Sequence, residues 1–476
     1  MYPRAARAEP SRESPQTFEY TTEIEKNYLR AVLELEALTT VSVIWYVIDV
    51  RNGRDTGYRW QIFERKLSGS ALALDDNAFG TNFHGHGVGG NAYYLSARGN
   101  HLNIAESFGF AIAGALLWEY FGEVSEVVSV NDVIVTPLSG ITIGEPFTQL
   151  GAFFDRQRPT TLNRVLGSVF GPIKSVNDAL DGVTLRRSSG PDDEWHRFVL
   201  AGSVATVRER VANPNSLQYR DEVRLELSER LARLRDYDGS TDRSEWFNDG
   251  NVSGLSLNLS FGPRGLKDLA FASDLVPFGY FERRARRTPG GIRGSGFVVG
   301  WAMGYRYLLH DYGGVPQSSL DRAAFVQPIG VMFEYRARMG SFSLAAKADA
   351  TGAFGGIHPI ALDAAASDRD SLRYTLRSHG YYFGVGGQLQ AGLTLAYRDL
   401  EASASFTGRR FTRVDQRLGL TVYDAWERFQ FGFGYRMRPN WTLRLFSDDM
   451  VRTGRLGDAW GRAHDSTAGL EARVDF

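Results

Sequence analysis

From about residue 190 to the last residue, apolar and polar side chains alternate in short runs. In residues 427–437, Phe429, Phe431, Phe433, Tyr435 and Met437 fall on one side, and Arg428, Gln430, Gly432, Gly434 and Arg436 on the other. A repeat of two is the period of a strand. Large apolar groups facing polar or small ones suit a strand with lipid outside and a lumen inside. Val331, Phe333, Tyr335, Ala337 and Met339 oppose Glu334, Arg336 and Arg338 in the same way, and Leu255, Leu257, Leu259 and Phe261 oppose Ser256, Asn258 and Ser260. Similar segments near 196–209, 218–232, 269–283, 296–310, 342–352, 380–398, 400–412, 440–451 and 466–476 bring the count to about twelve, an even number, as a closed bacterial barrel requires. Closure is physically necessary, because in hydrocarbon every backbone N–H and C=O needs a partner. The polar insertions 234–250, 283–295, 311–323 and 354–378 are expected as loops on the outer side. A soluble sandwich also alternates, but aromatics on the exterior of successive strands would be hard to bury in one sandwich.

Before residue 190 the period changes. Residues 23–50 suit a helix, with Leu29, Val32, Leu33 and Leu35 among charges, although the later part is β-branched and aromatic. Its uncharged run, 37–48, is about half the ~20 residues of a spanning helix, so it is expected to pack on protein. Asn52-Gly53 marks a turn. The glycine-rich run 75–90 is expected as a shaped loop entering a helix near Gly90. His86, Gly90, Tyr94 and Arg98 recur every four residues and would share a face if the helix began earlier. Residues 104–123 form a further helix, in which Gly109, Ala113 and Gly114 admit a neighbouring backbone. Glu119 and Glu123 at its end oppose the helix dipole and need partners. Ser129 is an N-cap with Asp132 at capping-box distance. Asp132, Thr136, Gly140 and Gly144 then make a stripe built for tight packing. Pro137 kinks this helix or begins a looser turn, and Glu145-Pro146 closes it. Residues 147–182, with an amphipathic helix around 159–170, are expected as a covering layer.

Composition narrows the function. The 476 residues carry 54 basic and 55 acidic side chains, a balance without the electrostatic footprint of a nucleic-acid binder. No cysteine is present, which removes disulfides, thiolate metal sites and cysteine nucleophiles. Residues 1–18 read as a leader remnant and disordered tail, with Ala6-Arg7-Ala8 in the form of a cleavage site. The expected fold is α+β: a helical domain over 19–190, its core motif at 75–145, then a transmembrane antiparallel barrel over 191–476.

The central motifs are Asn82-Phe83, His86, Gly90, Tyr93-Tyr94 and Arg98; Trp118-Glu119 and Glu123; and Ser129, Asn131-Asp132, Thr136-Pro137, Gly140 and Gly144-Glu145. Here the chain resembles a domain of unknown function found in envelope proteins of Gram-negative bacteria. It departs from that pattern at Gly87, where the family has proline. The helical unit is more distantly similar to VanZ-like proteins, with Thr136 in place of their asparagine. The resemblance implies an envelope location and supplies no reaction; with the barrel reading, the expected place is the cell outer membrane, with the helical domain periplasmic or inside the barrel. The last strand, Ala468, Leu470, Ala472, Val474 and Phe476 against Gly469, Glu471, Arg473 and Asp475, resembles strands read by the barrel-insertion machinery, which with outer-membrane lipids completes the expected partners.

Two functional classes stay open. In the first, the helices form a plug or periplasmic platform held by a buried polar network, a non-catalytic scaffold or a passage for envelope lipids or small solutes. In the second, an envelope lipid- or glycan-modifying hydrolase or transferase uses His86, Glu119, Glu123 and Asp132 as acid–base groups, with Asp76, Asn82, Tyr94, Arg98, Thr136 and Glu145 as binding residues. No recognised catalytic signature is present. His84 and His86 lack a defined third ligand, so no metal is assigned and no cofactor is expected. The barrel assignment predicts a compact, β-rich form in detergent whose gel migration changes on heating. Its absence would return residues 191–476 to a soluble fold.

Overall fold

A computed structural model describes residues 18–20, 25–50, 60–123, 126–187, 194–212, 215–289, 291–312, 320–365, 375–414 and 420–476. The leader expected over 1–18 therefore lies outside the described residues except for Phe18, which opens a short strand.

The C-terminal part is a closed antiparallel barrel of 12 strands. These are β1 (Trp195–Ala212), β2 (Ser216–Ala232), β3 (Arg243–Phe247 and Val252–Gly262), β4 (Gly265–Val276 and Gly279–Thr288), β5 (Gly291–Trp301 and Met303–Asp311), β6 (Leu320–Met339), β7 (Phe342–Ile357), β8 (Tyr382–Tyr397), β9 (Leu400–Arg413), β10 (Val422–Arg438), β11 (Trp441–Leu456) and β12 (Ala459–Asp475). Each pairs with the next, and β12 closes on β1 from Arg462↔Ala212 to Asp475↔Val199. Strands β3, β4 and β5 are each interrupted once, and β6 shifts register between Val326 and Ile329 beside them. Of the insertions expected on the outer side, 283–295 is instead a paired hairpin of β4 and β5. Both it and 234–250 lie at the end where β1 begins and β12 finishes. The reason is strand length: β4 and β5 run past their neighbours, so residues that read as polar loop are extended ladder.

The two faces of the wall differ. Exposed apolar side chains, among them Leu200, Val204, Leu225, Leu227, Phe431, Phe433 and Leu445, mark the outward positions. The inward positions carry paired charges: Arg428 Nε donates to Asp448 Oδ1 at 2.8 Å, Arg452 pairs with Asp321 and Asp424, and Arg230 with Glu334. Chain segments fill both mouths of the lumen. At one end Ala361, Leu362, Ala365 and Leu376 pack on Phe325, Phe411 and Trp426, and at the other Leu234 and Tyr237 pack on Phe247, Phe281 and Met332. Between them lies a cavity of about 200 Å³.

The preceding helices are α1 (Tyr28–Val50), α2 (Trp60–Leu67), α3 (His86–Gly99), α4 (Ile104–Leu117), α5 (Val130–Arg156), α6 (Thr161–Phe170) and α7 (Pro172–Leu180). None of the described helices is long and apolar enough to cross a membrane. The glycine-rich run is not a loop: residues 80–85 form a π-helical turn leading directly into α3, so His86, Gly90, Tyr94 and Arg98 do share a helix. Nor does Glu145-Pro146 end the next unit. Helix α5 continues for 27 residues through both prolines, because tertiary packing compensates the missing donors.

Helix α5 lies on outward-facing barrel residues. Phe153 and Leu150 meet Leu231, Phe198 and Leu255; Ile141 meets Leu275 and Met303; Val135 and Phe83 meet Tyr305, Val326 and Phe383. These positions alternate with the lumen-facing ones, so α5 packs on the outward face of these strands. The register makes the continuity explicit. Leu200 pairs with Leu227, Leu227 with Leu257, Leu257 with Phe271 and Phe271 with Tyr307, so one row runs from bare apolar wall to wall packed against helix.

Helices α3 and α5 cross at the expected small-residue stripe. A Cβ on Gly90 would lie 1.8 Å from the Thr136 carbonyl oxygen, and one on Gly140 would lie 2.7 Å from that of Gly90. Gly89 has nothing within 4 Å of its would-be Cβ. Gly90→Ala is expected to destabilise the helical unit by about 1–3 kcal/mol or more, whereas Gly89→Ala should stabilise it by about 0.5–1 kcal/mol. Denaturant titration of the helical circular-dichroism signal measures both, and equal effects would refute the close crossing.

Candidate functional site

Two polar clusters hold the helices, and the sequence motif divides between them. The first surrounds Asp75. Its carboxylate accepts from Asn82 Nδ2 at 2.5 Å, Asn77 Nδ2 at 2.9 Å and Asn131 Nδ2 at 3.3 Å. Its backbone N–H donates to Asn131 Oδ1 at 3.0 Å. Tyr381, from the connection before β8, accepts from Asn82 Nδ2 and donates to the Asn77 carbonyl, both at 2.8 Å. Asn131 Nδ2 also donates to Asp132 Oδ1 at 3.0 Å.

His86 stands beside this group at the start of α3. Its Nδ1 lies 3.1 Å from Thr136 Oγ1, and its Nε2 lies 3.4 Å from Asp132 Oδ2. Asp132 and Thr136 are four apart on α5, so one helical face presents both to the imidazole. The His86 side chain is 12% exposed and that of Asp132 1%.

Local structure explains the neighbouring acids. Ser129 caps α5, its Oγ accepting from the Asp132 N–H at 3.3 Å. The reciprocal acceptor expected from Asp132 comes from Glu119 instead, whose Oε2 receives the Ser129 N–H at 2.6 Å. Glu119 belongs to a second π-helical turn, Trp118–Gly122, which ends α4. Buried Lys66 donates to the carbonyls of Glu119 and Glu123, placing a cation where the dipole favours one. Trp118 Nε1 donates to Glu123 Oε1 at 3.1 Å.

Burial dominates the electrostatics. It pushes Glu119 up to about 7 against the Ser129 N–H, and, with Glu119 adding its charge, pushes Glu123 up to about 9. Asp132 is raised well above the usual carboxylate range by burial and then by Asp75. His86 is lowered to about 4 by burial, and Lys66 is lowered for the same reason. Burial thus works against the charged form of both His86 and Asp132, and an imperfect ion pair in a dry site is costly.

The second cluster joins α3 to the barrel through α5. Tyr94 donates to Glu145 Oε2 at 2.6 Å, Arg98 Nη2 donates to Glu145 Oε1 at 3.0 Å, and Arg98 Nε lies 2.8 Å from Oε2. Gln149 Nε2 donates to Glu145 Oε1 at 3.1 Å and to the Gly250 carbonyl, and Gln149 Oε1 accepts from Ser253 Oγ at 3.0 Å.

Of the candidates named from sequence, His86, Asp132, Thr136 and Asn82 converge, Glu119 joins them through Ser129, and Glu123 is linked to Glu119 through Lys66. Tyr94, Arg98 and Glu145 gather separately. Asp76 and His84 are exposed, and neighbouring Asp75 fills the place expected of Asp76, because the chain turns at this point. Sequence reading missed Lys66, Gln149 and Tyr381. Lys66 and Gln149 lie in amphipathic stretches with no motif of their own, and Tyr381 is 299 positions from its partner Asn82.

Residues 71–173 match a family model described as Domain of unknown function (DUF3943). No curated protein matches the chain. Similar solved structures include the P. putida toluene transporter TodX, at 11% identity over 60% of this chain and 91% of that chain with a TM-score of 0.24. Others are the outer membrane phospholipase A from Escherichia coli, at 10% over 61% and 94% with 0.25, and an anion-selective porin from Comamonas acidovorans, at 9% over 60% and 99% with 0.22. The chain carries a closed antiparallel β-barrel of 12 strands.

The raised carboxyl groups set a pH dependence. Because folded Glu123 keeps its proton up to about 9 while an unfolded glutamate loses it near ~4.3, the folded state binds more protons between those values, and stability falls as pH rises through that window. His86 acts oppositely, adding stability as pH rises from about 4 to its unfolded value of ~6.5. Glu123→Gln is expected to flatten the decline above pH ~7, measured as denaturant midpoints at several pH values. An unchanged slope would remove Glu123 as its source.

Proposed function

We propose that the chain is a non-conducting outer-membrane scaffold: a closed barrel that carries its helical unit on the outer wall, at the height of the bilayer, as a platform. The observation that carries this reading is the polar character of the wall beneath α5. Ser253, Ser273 and Tyr305 face outward within the apolar zone, and each is hydrogen-bonded to the helical unit, Ser273 to the Thr142 carbonyl and Tyr305 to the Phe83 carbonyl at 2.8 Å. Bare in lipid, each would be an unpaired polar group. The outer side of the helices supports the same placement, with Ile112, Leu116, Val165 and Val169 exposed.

A scaffold also accounts for the filled mouths and the paired lumen charges, which do not suit a passage for solutes. The catalytic alternative rests on the Thr136 hydroxyl against His86 Nδ1. Thr136 is only 3% exposed, so a lipid or glycan bond would have to enter the helix crossing to reach it. The buried network therefore acts as the lock of the platform, fixing α3 and α5 against each other and against the connection before β8.

The absence of cysteine makes single-cysteine variants clean probes. A fluorophore on Ile112→Cys is expected to be quenched by lipid-phase quenchers like one on the wall position Leu225→Cys, while one on Arg208→Cys responds to aqueous quenchers. Planar-bilayer recordings should show no steady conductance. Aqueous quenching alone at Ile112→Cys would overturn the placement, and a stable open pore would overturn the scaffold.

A further inference from the structure

The lumen holds a group of side chains that the platform does not need. His310 on β5, Glu209 on β1 and Asp465 on β12 offer three ligand atoms that all lie within 4.8 Å of one another. His310 Nε2 is 3.3 Å from Asp465 Oδ2 and 3.5 Å from Glu209 Oε2. All three residues are more than nine-tenths buried, at 8%, 6% and 1% exposure. His310 Nε2, Asp465 Oδ1 and Glu209 Oε1 have no hydrogen-bond partner. The orphaned oxygens are the second atoms of the two carboxylates that face His310 Nε2, and buried polar groups are normally satisfied.

We propose that these three residues form a binding site for a divalent cation of the zinc type. Ligand spacing is the first support: metal–ligand bonds of about 2.1 Å in tetrahedral array give an edge of about 3.4 Å, close to both separations at His310. The second support is the tautomer. His310 Nδ1 is hydrogen-bonded to the Asp268 carboxylate, so in the neutral ring Nε2 is the lone-pair nitrogen, the carboxylate–histidine arrangement that orients a metal-binding imidazole. Asp268 is in turn held by Ser260, and Glu209 Oε2 by Arg220 Nη1 at 2.6 Å.

Charge is the third support. Arg220 pairs with Glu209 and Glu222, and Arg224 with Glu222, while Glu209, Asp268 and Asp465 ring His310, so this group holds four acids and two guanidinium groups. Asp448, which Arg224 also approaches, has its own partner in Arg428. A divalent cation with neutral His310 cancels the excess of two negative charges. His310 and Asp465 also line the lumen cavity, which provides the fourth position for water.

The test uses the full chain, folded in detergent, stripped with chelator and titrated with Zn²⁺ alone by calorimetry. Wild type is expected to bind one equivalent, and His310→Gln, Asp465→Asn and Glu209→Gln should each weaken binding by about tenfold or more. His464→Ala, at a half-buried histidine on the outer face, should not. Heat-modifiable migration identifies variants that fold, and zinc X-ray absorption of wild type decides independently of any variant. One imidazole with carboxylate oxygens around the metal supports the site. No binding by wild type, unchanged binding in folded His310→Gln, or an all-oxygen shell would overturn it.

Discussion

Pro146 has no N–H, so the carbonyl of Thr142, four residues earlier in α5, has no helical donor. In a dry interface an unpaired carbonyl costs about 1–3 kcal/mol. Ser273 on the barrel wall donates to it, and one turn further on Gln149 reaches the Gly250 carbonyl at the interruption of β3. Helix and barrel thus each carry a defect that the other repairs. Neither surface could face lipid alone, which ties the outward serines of β3 and β4 to the helix that covers them. The interrupted strands β3, β4 and β5 and the register shift in β6 lie together beside this helix.

Much of the barrel is legible because period two is strictly local. The alternation at 427–437 needs nothing beyond adjacent residues, and every alternating segment corresponds to barrel strand. Loop positions were less legible: residues 283–295 are rich in arginine and glycine, which reads as loop, yet their backbone hydrogen bonds across a hairpin decide the structure. Helix starts and stops failed for a related reason. Gly80, Gly85, Gly87 and Pro146 carry unfavourable helix propensities, but those penalties are roughly 1–3 kcal/mol per residue, smaller than what packing between α3, α5 and the wall returns. Gly90 and Gly140 show the gain, since only bare backbones permit that crossing.

The candidate site was half legible. Four-residue spacing identified His86 with Gly90, and Asp132 with Thr136, correctly as faces of two helices. Spacing could not show that the two faces meet, nor that Tyr94, Arg98 and Glu145 belong to a different cluster. That division follows from the third dimension. Asp75, Asn131 and Tyr381 close over Asn82 near one end of α5, while Arg98 and Gln149 serve its middle, next to the wall.

The two clusters also solve the burial problem differently. Around Glu145, a guanidinium, a phenol and an amide supply donors to both carboxylate oxygens, so the buried group is fully paired. Around Asp132 and Glu123 donors are too few, and burial makes protonation the lower-energy answer. The lumen sets arginines between acidic groups, as with Arg452 between Asp321 and Asp424, and around His310 an imidazole nitrogen faces two carboxylates. A cation between that nitrogen and the two carboxylates accounts for the arrangement, since the imidazole and both acids are ligand chemistry set at ligand spacing.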